Sequence, residues 1–403
     1  MKILFLTDNF PPEVNAPATR TYEHCKEWVK KGVGVTVITC APNFPQGEVY
    51  EGYKNKFLQK EILDGIEVVR VWSYMVPNKG FVKRILDYLS YSLMAFVVGL
   101  FIKTDIIIAT SPQFFTAVAG RKLAFWKRKP WIMEVRDLWP ESIKNVDALN
   151  DNVVIKYLEW EEMKCYRKAK GIITVTDTFK KVIVNRGIQE NKFAVIKNGA
   201  NLELFKPREK DQRLLDKLNL KNKFIIGYIG THGLAHKLDF ILSCAKELDN
   251  DKFHFLFIGD GAEKENLLKK AGNLKLNNVT FLDPVKKNEV SLYLSIIDVA
   301  LIPLKKSELF KTVIPSKIFE SAAMQKPILL GVDGESRGIV EKYNAGLFFQ
   351  PEDKIDFIEK LNRLYSDNRL YIKLQQGCKK LATDFDRKKL ADKMLKFIEK
   401  QIK

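Results

Sequence analysis

What restricts the fold most is a rhythm. Short apolar runs rich in Ile and Val alternate with helical patterns, and the whole series occurs twice. In the first half the runs are Lys2–Thr7, Gly34–Thr39, Glu67–Trp72, Asp105–Ala109, Trp131–Val135, Gly171–Val175 and Phe193–Ile196, with helical patterns such as Tyr22–Lys31, Val153–Lys168 and Phe179–Asn185 between many of them. Runs that are apolar throughout suit strands covered on both faces, so the pattern predicts an open, mainly parallel α/β sheet. The second half repeats the rhythm at Phe224–Ile229, Phe253–Ile258, Val279–Leu282, Val299–Ile302, Pro327–Leu330 and Gly346–Phe349. A chain of 403 residues suits two domains of about 200 each. The turn signal Asn198-Gly199, and Pro207 ahead of a charged run, place the boundary in Asn198–Lys210. The expected division is 1–200, 201–385 and an amphipathic C-terminal helix over 386–403 that packs back on the first domain.

The formal charge of +18 calls for an anionic partner: nucleic acid, an anionic membrane surface or a phosphorylated ligand. Between Lys79 and Lys129 lie nine Lys and Arg residues, with Asp87 and Asp105 the only acids. This segment, near 81–129, flanks the most apolar stretch of the chain, Ile85–Ile102, which favours a membrane surface over nucleic acid. The stretch approaches the length of a membrane span, but both its flanks belong to one α/β domain. It is either a buried helix or one that dips into a bilayer and guides a lipid substrate; Tyr88, Tyr91 and the basic flanks lean toward the second. Cys25, Cys40, Cys165, Cys244 and Cys378 form no CxxC pair, which argues for a reducing compartment. No signal peptide is expected at the start. The expected location is cytoplasmic, peripheral on the inner face of the plasma membrane.

In doubly wound folds ligands bind at the carboxyl ends of strands, so the loops after strands carry the candidates. TDNFPPEVNAPATR follows the first strand; Asn15 or Thr19 can cap the next helix, and no GxGxxG is present for a dinucleotide. EVRDLWPES places Arg136 and Asp137 directly after an apolar strand, either as substrate contacts with Asp137 as a base, or as an ion pair with Pro140 and Glu141 starting a helix. In IGTHGLAHKLD, Gly230 and Gly233 let backbone approach a ligand, and Lys237, His236 and a helix dipole can hold phosphate. In FKTVIPSKIFESAAMQKP, Ser316 is a possible N-cap. Lys317 stands in a first turn, where the helix dipole disfavours a cation unless an anion binds. Glu320 lies on nearly the same face, and a carboxylate there can hold a ribose diol; the alternative is a solvated Lys–Glu pair.

These segments, in this order with IKNGANLELF and FIGDG, resemble glycosyltransferase family four, over nearly the whole chain. The subgroup they resemble most makes O-antigen and capsule precursors and includes N-acetylfucosaminyl transferases. EVRDLWPES and PSKIFE are the more specific matches. The resemblance implies the GT-B fold: α/β, two Rossmann-like doubly wound domains facing a central cleft. It implies that the second domain binds a UDP-sugar donor. Lys317 and the Gly230–Gly233 loop, with Thr231, would hold the diphosphate. Glu320, aided by Ser316, would match the second glutamate of the family's E-x7-E motif and bind ribose. The base of the nucleotide would lie near Asp260, Gly261 and the Asp283, Pro284 and Val285 loop. The acceptor, an undecaprenyl-diphosphate-linked sugar, would meet Asn15, Ala16, Ser111, Arg136 and Asp137 of the first domain. Two positions depart from the family: Thr312 replaces the first glutamate of E-x7-E, and Thr231 replaces the usual Arg of the phosphate loop, which shifts phosphate charge onto Lys317 and Lys237.

The implied reaction breaks the bond from C1 to the diphosphate, with Lys317 and backbone N–H groups stabilising the leaving charge and Asp137 contacting or deprotonating the acceptor hydroxyl. The catalytic candidates are thus Asp137, Lys317 and Glu320. The DxD sequences, Asp249-Asn250-Asp251 and Asp384-Phe385-Asp386, read as loop or cap residues, so no cofactor and no metal are expected. Three other readings stay open: a UDP-sugar 2-epimerase of the same architecture, an inactive transferase given Thr312, and a basic nucleic-acid-binding protein, for which no zinc knuckle, RNP-like motif or helix-turn-helix speaks.

Overall fold

A computed structural model describes all residues except 45, 77–80, 112, 140–152, 249–250 and 403. The chain forms two compact units, one of Met1–Lys197 with Arg387–Lys403, the other of Asn198–Asp386. Each is a sheet covered by helices, parallel throughout in the second unit and parallel but for one edge strand in the first.

The first sheet has strands β1 (Lys2–Leu6), β2 (Gly34–Cys40), β3 (Leu58–Leu63), β4 (Ile66–Val71), β5 (Ile106–Thr110), β6 (Trp131–Val135), β7 (Gly171–Thr174) and β8 (Phe193–Val195). Their order is β3-β4-β2-β1-β5-β6-β7-β8, so the direction of winding reverses between β1 and β5. Central strands are buried along their length, as their unbroken apolar sequence requires. Alternation sends their side chains to two layers. Phe5 meets Trp28 of helix Ala16–Lys30, while Leu4 and Leu6 join the core that holds Tyr91, Met94 and Leu123. Helix Arg387–Ile402 closes the Trp28 side, where Trp28 Nε1 donates to the Ala391 carbonyl at 2.9 Å.

β3 was not foreseen. Its sequence, LQKEIL, alternates in burial and pairs antiparallel with β4 at the sheet edge, so it lacks the apolar run of a central strand. Leu63 pairs with Ile66 around Asp64-Gly65, both at positive φ (49° and 81°), a two-residue hairpin turn that Asp-Gly favours.

The second sheet contains β9 (Phe224–Ile229), β10 (Phe253–Ile258), β11 (Val279–Leu282), β12 (Val299–Pro303), β13 (Ile328–Gly331) and β14 (Gly346–Phe348), in the order β11-β10-β9-β12-β13-β14. The reversal falls between β9 and β12. Ile225, Leu256 and Ile302 face a core with Ile318, Phe319 and Leu381; Ile226, Phe255 and Leu301 face Leu238, Leu242 and Phe357.

Helix Phe81–Leu100 takes in the Ile85–Ile102 stretch up to Leu100, with Phe101 and Ile102 just beyond its end. Among the described residues no helix is long and apolar enough to cross a membrane. The five cysteines are buried and unpaired.

One buried ion pair ties the first unit together. Arg20 Nε lies 3.0 Å from Glu134 Oε1, both almost fully buried. The same guanidinium donates to the carbonyls of Lys197 and Ile196, each at 2.8 Å. Burial alone would raise the Glu134 carboxyl, but Arg20 and Arg136 hold it below its ordinary 4.5. Its stabilising contribution is therefore present at neutral pH and fades as acid protonates it below about 4.5. Glu134→Gln leaves a buried guanidinium without its counter-charge and is expected to cost about 3–5 kcal/mol of unfolding free energy. Urea titration at pH 7 checks this.

Candidate active site

In both units the candidate residues stand at the carboxyl edge of the sheet, beside the strand reversal, where adjacent loops diverge and leave room for a ligand.

In the second unit, Gly230 follows β9 and Gly259, Asp260 and Gly261 follow β10. Their loops interlock through backbone: Gly230 N–H donates to the Ile258 carbonyl and His232 N–H to the Asp260 carbonyl, both at 2.8 Å. The contact tolerates no side chains. A Cβ on Gly259, where φ is 144°, would lie 2.0 Å from the Gly230 carbonyl oxygen. A Cβ on Gly230, where φ is 148°, would lie 2.4 Å from Lys317 Cε. Lys317 thus occupies the space that glycine leaves, with its Nζ 5.1 Å from the centre of the Tyr228 ring. Tyr228 is held by its hydroxyl, which donates to the Thr231 carbonyl at 2.6 Å.

Lys317 begins the short helix Lys317–Ala323 after β12. Burial holds its ammonium below the usual lysine range, while Glu320, one turn on, pulls the other way. The helix carries Ser321, Ala322 and Ala323 into the core, which fixes the face from which Lys317 projects. Ser316 does not cap this helix with its side chain: it is itself helical in backbone, and the N–H groups of Ile318 and Phe319 bond the carbonyls of Pro315 and Ser316. Those donors are already engaged, so Lys317 is the main source of positive charge here. Thr312 ends a turn of 3-10 helix and donates its hydroxyl to the Leu309 carbonyl at 2.8 Å.

Other candidates lie further out. Gly233 and Lys237 line a pocket of about 280 Å³ with Asp239, Glu263 and Lys305; Lys317 and Glu320 do not line it. Lys237 Nζ sits 3.5 Å from Asp239 Oδ2, so part of its charge is already balanced. Asp260 and Pro284 are exposed, whereas Val285 packs against the core. Asp283 pairs with Lys264 at 2.6 Å. Asp249 and Asn250 lie outside the described residues. Asp384 accepts from the Tyr343 hydroxyl at 2.6 Å.

Sequence reasoning passed over His232. Its side chain is fully buried beside Tyr228 and Phe281, with neither ring nitrogen hydrogen-bonded among the described residues. Its position between Gly230 and Gly233 was the available signal. Burial, helped by the charges of Lys264 and Lys317, lowers it to about 4; burial and Lys317 lower His236 to about 4. Both imidazoles are neutral at physiological pH.

In the first unit, Asn15 and Ala16 follow β1, Ser111 follows β5, and Arg136 and Asp137 follow β6, so the reversal between β1 and β5 brings them to one edge. Asn15, rather than Thr19, caps its helix, accepting from Ala18 N–H at 2.9 Å. Ser111 Oγ accepts from Arg136 N–H at 3.2 Å. Arg136 keeps a buried Nη1 with no hydrogen-bond partner among the described residues, and burial lowers it to about 10, so it stays charged. Asp137 is half-buried. Pro140 and Glu141 lie outside the described residues. The same edge holds carboxyls that the sequence did not single out. Asp8 is raised by burial; Glu13 is raised by burial to about 7 despite the N–H groups of Asn43 and Phe44, each at 2.9 Å; and Asp87 is raised by burial to about 6.

Residues 17–204 match the model of Glycosyltransferase Family 4, and residues 210–385 match that of Glycosyl transferases group 1. With two Rossmann-like units, the chain belongs to the glycosyltransferases of GT-B fold. Among its relatives is TuaH of Bacillus subtilis, named for teichuronic acid biosynthesis: 26% identical over 59% of each chain. Another is the N,N'-diacetylbacillosaminyl-diphospho-undecaprenol alpha-1,3-N-acetylgalactosaminyltransferase of Campylobacter jejuni: 26% identical over 59% of this chain and 62% of that one. These matches span less than two thirds of either relative. HepE of Anabaena, solved with UDP and glucose, shares the fold at a TM-score of 0.73 and 15% identity, over 99% of this chain and 100% of that one. Sucrose-phosphate synthase of Thermosynechococcus elongatus shares it at 0.80 and 14% identity, over 99% and 98%.

The neutral state of the two loop histidines is directly measurable. An NMR titration is expected to show the ring signals of His232 and His236 unchanged from pH 8 to about 5. A midpoint near 6.5 for either, the value for an open imidazole, would contradict the burial described here.

Proposed function

We propose that this protein transfers a sugar from a UDP-sugar to a hydroxyl of an undecaprenyl-diphosphate-linked saccharide in the assembly of a bacterial surface polysaccharide. The observation that carries the reading is Lys317, a half-buried lysine whose partly desolvated ammonium sits over Tyr228 against a glycine loop at the strand reversal, with Glu320 one turn away. A buried cation is costly unless an anion meets it. A nucleoside diphosphate supplies that anion, and HepE is known with UDP on the same fold.

In this reading Lys317 and the loop of Gly230, Thr231 and Gly233 hold the diphosphate, and Glu320 accepts hydrogen bonds from the ribose diol. Asp260, Gly261, Pro284 and Val285 border the uracil base, with Thr312 and Ser316 at the margin of the site and Lys237 as a secondary charge. As the bond from C1 breaks, its electron pair leaves with UDP, and Lys317 stabilises the growing charge, so the step needs no metal ion. The acceptor oxygen bonds to C1 and its proton passes to Asp137. Asn15, Ala16, Ser111 and Arg136 position the acceptor, Arg136 through the guanidinium nitrogen left unbonded at that edge.

The name of the Campylobacter relative, a lipid-diphosphate-linked acceptor and an N-acetylhexosamine, supports both the acceptor class and an N-acetylated amino sugar as donor. N-acetyl-L-fucosamine is the donor we favour within that class. Such an acceptor sets the reaction at the cytoplasmic face of the plasma membrane, with the protein bound there peripherally and no nucleic-acid partner.

The test is UDP release across a panel of UDP-N-acetylhexosamines, with and without an undecaprenyl-diphosphate-linked amino sugar. Acceptor-dependent release with a heavier lipid product is expected, falling about 100-fold or more in Lys317→Ala. Loss in a folded Glu320→Ala excludes an inactive protein. Isomerisation of a UDP-sugar without acceptor would instead identify an epimerase.

A further inference from the structure

Helix Phe81–Leu100 is apolar on two sides. Its inner side packs into the core through Tyr91, Met94 and Ala95. Its outer side presents Leu86, Leu89, Leu93, Val97 and Leu100, exposed by 51, 43, 63, 37 and 36%. Their spacing of three and four residues draws one continuous stripe along the helix. A helix on a solvent-facing layer ordinarily carries charged side chains on that stripe, and one that is apolar all round is ordinarily buried.

The stripe ends in aromatics. Phe101, Phe125 and Trp126 are exposed by 84, 80 and 70%. They sit together, because helix Phe81–Leu100 and helix Phe114–Lys127 end side by side: Lys127 Nζ donates to the Leu100 carbonyl at 2.8 Å, and Gly99 makes room for Leu123. Around them are the exposed Lys103, Lys122, Arg128 and Lys129. The acids of this segment are engaged elsewhere, Asp87 by the Ser73 hydroxyl at 2.9 Å and Asp105 by the Lys2 N–H at 2.7 Å.

We infer that this face is a docking surface for an anionic lipid bilayer, with the leucine stripe lying in the interfacial plane and Phe101, Phe125 and Trp126 entering the acyl boundary. Apolar anchors ringed by Lys and Arg match acyl chains beneath anionic headgroups. A second copy of the chain fits poorly, because self-association would bring two basic rims together. The inference rests on the proposed function only in that a polyprenyl acceptor requires a membrane; it is drawn from other residues and can fail separately.

The test is co-sedimentation of the full chain with phosphatidylcholine vesicles, with and without phosphatidylglycerol, in the absence of donor and acceptor. Binding is expected to the anionic vesicles, with about tenfold or greater weakening on phosphatidylcholine alone or in high salt. Leu89→Asp with Leu93→Asp, and Phe125→Ser with Trp126→Ser, are each expected to weaken it about tenfold or more. Ile355→Ser, at an apolar residue 81% exposed on the other unit, is expected to leave it unchanged. A circular dichroism spectrum and an unfolding midpoint equal to wild type show that each variant is folded, and because neither readout involves donor or acceptor, the result is separate from the fate of the transfer reading. Three outcomes would overturn the inference: no binding to anionic vesicles, equal binding by the variants, or a concentration-dependent dimer abolished by Leu89→Asp with Leu93→Asp.

Discussion

Lys317 can lie where it does only because Gly230 has no side chain, and the Gly230 loop can lie where it does only because Gly259 has none. Two backbones therefore touch at the carboxyl edge of the second sheet, and a cation fills the space beside them. Each part answers a cost. The loop's Gly230 and His232 N–H groups are bonded to the neighbouring loop, Tyr228 lends the ammonium a π face, and Glu320 offsets part of its desolvation. The balance remains short of an anion, which is the physical content of calling this a diphosphate site. The neutral histidines fit that account, since imidazolium groups beside Lys317 would add repulsion to an already costly charge.

The first unit meets the same constraint differently. Its central strands are buried on both faces, so charged groups are tolerated at the strand ends and only in pairs. Arg20 and Glu134 form such a pair, which also closes two chain carbonyls. Arg136, just beyond β6, has no comparable set of partners among the described residues and keeps a free donor. The difference separates a guanidinium that holds the fold from one available to a ligand, although both follow from charged residues bordering the same strand.

The parallel strands were legible because burial on both faces writes an unbroken apolar run into the sequence. β3 was not, because an edge strand needs only one apolar face; the Asp64-Gly65 turn beside it was the signal left unused. At the candidate site, the loops after strands stand at the carboxyl edges of the two sheets, and Lys317 stood out in the sequence by its conflict with the helix dipole. One local detail went otherwise: Ser316 has the position of a cap without its hydrogen bond; of the two caps open for the first long helix, Asn15 is the one used. Burial itself was out of reach. Hydropathy marked Ile85–Ile102 as apolar but not which of its side chains the core would cover, and the carboxyls of Asp8 and Glu13 became notable only once the fold had desolvated them. His232 has no apolar or charged signature of its own; only its enclosure between two glycine loops makes it conspicuous.

The measurement that tests this account most directly is calorimetric titration of the full chain with UDP alone, beside Lys317→Met, which keeps the bulk of the side chain and removes its charge. The account predicts one UDP per chain and at least a tenfold loss of affinity in the variant, with its unfolding midpoint unchanged or raised, because a buried charge has been removed. Equal affinity in the two proteins, or no UDP binding by the wild type, would contradict the assignment of this site.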